Sequence, residues 1–99
     1  MLVTILNKRW RLIFRWRNIT KSKSRAICDA PWRPGKAIRI ASQLRGEERL
    51  ECIIHEALHA SGWHLDEPYV EMFSSDLASI LWKLGYRRSK EAPCPNKTT

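Results

Sequence analysis

The spacing of apolar side chains changes period once along this chain, and that change constrains the fold more than any other feature. Trp10, Leu12, Phe14 and Trp16 alternate with Arg11, Ile13, Arg15 and Arg17, a period of two that predicts a strand with a half-buried aromatic face. Residues 36–41 alternate again, with Ile38 and Ile40 opposite Arg39. From about Glu47 the period becomes helical. Leu50, Ile53, Ile54, Ala57, Leu58 and Ala60 trace one stripe, and Gly62 is placed to end the helix as its C′ residue. Asp66-Glu67-Pro68 then offers an N-cap, an early acid and a proline near the first helical position. Val70, Phe73, Leu77, Leu81 and Leu84 mark a second amphipathic helix running to about Gly85. Residues 2–6 suit either a partner strand or a helix start; residues 20–25 read as a polar connector and 31–35 as a turn. Two or three short strands followed by a helical hairpin make a small α+β domain.

Ninety-nine residues suit one domain, here 1–89, with a polar, proline-containing tail over 90–99 expected to be disordered. A hydrophobic share of 43% with five Trp argues against a wholly disordered chain. No apolar run approaches the roughly 20 residues that span a bilayer. The opening residues 1–6 are too short for a signal peptide, and their basic neighbours follow rather than precede them. Cys28, Cys52 and Cys94 form an odd set without a CxxC pair, which excludes a disulfide framework and a zinc ribbon and points to a reducing cytoplasm.

The formal charge of +8 is unevenly distributed. Residues 1–50 carry thirteen Lys/Arg against three acids, a balance of +10, and residues 51–99 carry five against seven, a balance of −2. Such a split suggests an anionic partner for the first half and separate chemistry in the second.

That chemistry has a signature. His55-Glu56-Ala57-Leu58-His59 is an HExxH on the first predicted helix. The i, i+4 spacing puts both imidazoles on one face, one turn apart, where they can share a tetrahedral zinc. Glu56 lies beside them without needing to be a ligand, and there it can take a proton from metal-activated water. A catalytic zinc needs a third protein ligand and an open position. His64, Asp66, Glu67, Glu71 and Asp76 are the candidates. A hairpin folded about residues 64–65 would bring Glu71, rather than Glu67, to the level of His55 and His59.

With these residues in place the sequence resembles the HExxH metallopeptidases, the zincins, and specifically their glutamate-ligand branch. In that branch a second helix supplies a Glu ligand, an acid four residues later supports a ligand histidine, and a Phe and a small residue follow. Glu67-Pro-Tyr-Val-Glu71-Met-Phe73-Ser74 has that order. The resemblance implies Zn²⁺ held by His55, His59 and Glu67, with Glu56 as general base, Glu71 as the supporting acid and a protein or peptide as substrate. The metzincin pattern HExxHxxGxxH matches at Gly62 but has Leu65 at its third histidine, with His64 one residue early. Zincins also place an edge strand before the HExxH helix, which implies that residues 37–41 form an edge on which an extended peptide can add. Residues 55–88, with Trp63, Leu65, Asp66, Val70, Leu77, Trp82 and Gly85, further look like small proteins of phage and prophage origin assigned as metallopeptidases, which would work in a host cytoplasm.

The basic half supports a reading from a different class. Its arginines would neutralise phosphates, and Trp10, Phe14, Trp16 and Trp32 would stack on bases if exposed, making a nucleic-acid-binding module whose zinc is structural or vestigial. Alternation instead sends these aromatics into the core. Tyr69, Tyr86 or His64 would serve a metallopeptidase as oxyanion donor. Oligomeric state is not encoded in any of these patterns.

Overall fold

The computed structural model describes residues 1–16 and 25–87. The connector over 20–24, Cys94, the tail over 90–99 and the side chain of Trp16 lie outside the described residues. Four strands, β1 (Leu2–Ile5), β2 (Lys8–Trp16), β3 (Ala26–Cys28) and β4 (Ala37–Ala41), precede helices α1 (Gly46–Ser61) and α2 (Glu67–Lys83). The order is α+β as expected, with one strand more than periodicity revealed.

Residues 2–6 resolve as a strand. β1 pairs antiparallel with β2, Val3 opposite Trp10. Leu6 and Asn7 join them with φ of 48° and 66°, the left-handed pair that a two-residue hairpin turn requires. The sheet runs β1-β2-β4-β3, with β2 and β4 parallel and β3 antiparallel to β4. The expectation that residues 37–41 form an edge is therefore corrected: β4 is an inner strand, and β3 is the edge. Ala37, Ile38, Ile40 and Ala41 are all buried, so β4 is shielded on both faces as well as paired along both edges. Arg39 reaches Asp29 at 3.2 Å, which lets a charged residue occupy that position.

The alternation of β2 behaves as its period requires. Trp10 is fully buried, and Leu12 and Phe14 pack against a cluster of Ile38, Ile40, Ala41, Leu44, Cys52 and Ala60. Arg11 points outward and is exposed. Of the aromatics considered for base stacking, Trp10 and Phe14 thus belong to the core, while Trp32 is exposed.

Helix α1 lies on the sheet, and α2 packs among these elements on α1 alone. The buried residues of α2 are Val70, Ser74 and Ala78; of the stripe expected, Val70 is buried and Leu77 and Leu81 are half-buried, whereas Phe73 and Leu84 are 40% and 68% exposed. Small residues let the two helices approach closely, and the Ser74 hydroxyl satisfies itself by donating to the Val70 carbonyl at 2.7 Å. Asp66 caps α2 by accepting from the Tyr69 amide at 3.3 Å. At the other end Gly85 takes φ 94°, and the amides of Gly85 and Tyr86 bond the carbonyls of Trp82 and Leu81. That is the left-handed helix stop expected of Gly62. Gly62 itself has φ −148° and is needed for a different reason, because a Cβ there would lie 2.9 Å from Cγ of Leu65. No helix among the described residues is long and apolar enough to cross a membrane.

Candidate metal centre

The last two turns of α1 and the first turn of α2 converge through the five residues between them. His55 and His59 share one face of α1, ring centroids 5.0 Å apart. Glu67, the first residue of α2, lies across from them. Its Oε1 is 3.2 Å from Nε2 of His55 and 2.9 Å from Nε2 of His59. One ligand atom from each of the three residues falls within 4.8 Å of the others. A tetrahedral zinc about 2.0–2.1 Å from its donors requires donor separations of about 3.3 Å. Two imidazole nitrogens and one carboxylate oxygen at these spacings fit such an ion.

The turn explains why Glu67 rather than Glu71 meets the histidines. The Leu65 amide bonds the Gly62 carbonyl at 2.9 Å, folding the chain back directly after α1. The second helix starts at once, so its first residue stands at the level of His59. Trp63, next in the chain, packs edge-on against Trp32 with ring centroids 5.8 Å apart.

The other candidates lie elsewhere. Asp66 is occupied by its capping bond, His64 is exposed and outside the three-residue cluster, and Glu71 and Asp76 line an adjoining depression that shares Arg25 and Glu51 with the cleft at the histidines. Among the described residues no hydrogen bond joins the Glu71 carboxylate to either imidazole, so the supporting role expected of it has no counterpart in the geometry. Tyr86 lies beyond the far end of α2. Tyr69 stays near Glu67, stacked on Phe73 at 5.9 Å.

Glu56 is buried and lines a cleft of 190 Å³ together with His55, Glu67, Arg25, Ala26, Glu51 and Cys52. Burial pushes its carboxyl above the usual carboxylate range; the neighbouring His55 and His59 oppose the shift and Glu67 adds to it. Arg25, hidden from sequence reading inside a polar connector, forms a 2.7 Å ion pair with Glu48. The edge strand β3, which begins at Ala26, was equally hidden, since three residues carry no periodicity.

Comparison with known proteins adds no relative: no family model, no curated protein and no solved structure matches the chain.

Proposed function

We propose that this chain is a zinc-dependent metallopeptidase of the zincin type, working in a reducing cytoplasm. The observation that carries the reading is the convergence of His55 Nε2 and His59 Nε2 on one oxygen of Glu67, at 3.2 and 2.9 Å, one residue from a buried Glu56. Bound by these three side chains, zinc supplies a Lewis acid that brings the acidity of water toward neutrality. Glu56 accepts the proton at a carboxylate oxygen and returns it to the leaving amine nitrogen. Its burial raises the proton affinity of the carboxylate, which suits a base that holds the proton before passing it on. The cluster offers three donors among the described residues, which supports an open fourth position over a closed structural shell. Ala26 of β3 lines the same cleft, so the edge strand would present main-chain groups to an extended peptide beside the metal.

Metal analysis and a proteolysis assay test the reading together. The purified chain should hold zinc one to one, and His55→Ala combined with His59→Ala should abolish it. Glu56→Gln should keep zinc and lose activity. A metal-free parent, or a Glu56→Gln variant as active as the parent, would sink the proposal.

A further inference from the structure

The opposite end of the helical pair holds a larger cleft that the metal chemistry does not use. It measures 540 Å³ and has Phe14 of β2, Leu50 and Ile53 of α1 and Trp82 of α2 among its walls. Gly46 also lines it and takes φ 61°, the left-handed conformation that favours glycine. Size and apolar lining are those of small-molecule pockets, in which a few polar groups fix the ligand's orientation. Here every charged side chain in the lining is a guanidinium, from Arg45, Arg49 or Arg87.

Two of these guanidiniums are held in place by neutral partners. Arg87 lies 3.4 Å over the Trp82 ring and donates from Nη1 to the carbonyls of Trp82 and Tyr86 at 2.8 and 3.0 Å. Arg45 donates from Nη1 to the carbonyls of Ser42 and Leu44 at 2.7 and 2.8 Å. Carbonyls orient a cation without neutralising it, and neither arginine is ion-paired among the described residues. Each spends only Nη1 on these bonds, which leaves the Nε and Nη2 hydrogens for an incoming oxygen.

We propose that this cleft binds an anionic amphiphile, an unbranched apolar body ending in a carboxylate or phosphate. The walls would take the body out of water, and the positioned guanidiniums would hold the head. The chain's own remaining segments have the wrong chemistry. Residues 17–24 and 88–99 bring six basic side chains against one acid, Glu91, and Ile19 is their only large aliphatic side chain. A second copy is disfavoured too, since a chain of formal charge +8 would set like charges together at an arginine-lined mouth. The cleft shares no lining residue with the His55, His59 and Glu67 cluster, so it stands or falls separately from the proposed metal.

Calorimetric titration of the full chain with monomeric octanoate, decanoate, decyl phosphate and decanol tests the assignment. Affinity should rise about fourfold per added methylene. Decanol should bind at least about tenfold more weakly than either anion, and Arg87→Gln or Arg45→Gln should remove most of that difference while leaving decanol unchanged. Whichever of decanoate and decyl phosphate binds more tightly identifies the head. Equal affinity for decanol and the anions would overturn the proposal, as would binding independent of chain length. Binding to vesicles without binding of the monomers would assign the surface to a membrane instead, and a dimer dispersed by decanoate would make a second copy the occupant; either result also refutes it.

Discussion

Gly62 and Leu65 stand so close that a Cβ on the glycine would lie 2.9 Å from Cγ of the leucine. The contact belongs to the turn that delivers Glu67 to His59. Gly62→Ala should therefore force Leu65 aside and lower stability by about 1 kcal/mol, the low end of overpacking because Leu65 is partly exposed and can move. Leu65→Ala in the same chain should recover most of the loss. Urea denaturation of the two single variants and the double variant measures the coupling, and additive effects would show that the turn tolerates the extra methyl.

Glu67 has a side chain 63% exposed, and its removal should cost the metal-free protein little, within about 0.5 kcal/mol. The metal-dependent part should respond very differently. Zinc at a hundred times its dissociation constant should stabilise the parent by about 2.7 kcal/mol, a rise of roughly 10–20 °C in Tm for a domain of this size. Glu67→Ala should sharply reduce that rise, and thermal scans with zinc and with chelator would show it.

Asp29 ties the end of β3 to β4 twice. One carboxylate oxygen accepts from the Ala37 amide at 2.9 Å and the other from Arg39 at 3.2 Å. Asp29→Ala leaves the amide of buried Ala37 and a half-buried cation without that partner, so stability should fall by about 1–3 kcal/mol. Amide exchange at Ala37 should speed up along with it. Unchanged protection at Ala37 would mean that the latch carries no weight.

Burial pushes the Cys28 thiol up to about 12, with Glu56 and Asp29 reinforcing the shift. A raised pKa means that the folded state holds the proton more tightly than the unfolded chain does. The stability this confers is complete below pH 9, the unfolded value, and is lost as pH climbs from there through about 12. Cys28→Ser removes the titration, so parent and variant should diverge above pH 9, the parent losing stability faster. Parallel curves of Tm against pH across that window would refute the assignment.

Much of this architecture was legible from residue spacing. The aromatic face of β2 and both helices followed from periodicity, and Asp66 and Pro68 marked the start of α2 before any coordinates. HExxH needed only the helix to place His55 and His59 together. What stayed hidden depended on non-local contacts. The resemblance made residues 37–41 an expected edge, and the three-residue β3 that covers β4 there carries no period of its own to reveal it. The packed face of α2 was legible only in part, since Ser74 and Ala78 join Val70 on it while the larger Phe73 and Leu84 stay exposed. The choice between Glu67 and Glu71 turned on how sharply the chain bends at Gly62, and a glycine in a sequence does not say whether it serves a positive φ or a close approach.

The strand order has a consequence for assembly. β3 precedes β4 in the chain, yet β4 is its only neighbour in the sheet and separates it from β2. An early-made β3 therefore has no ladder to join until β4 is laid down parallel to β2, and α1 follows β4 after only four residues. The edge beside the HExxH residues and the helix that carries them thus both depend on β4. A chain stalled before that point would own a hairpin and no site.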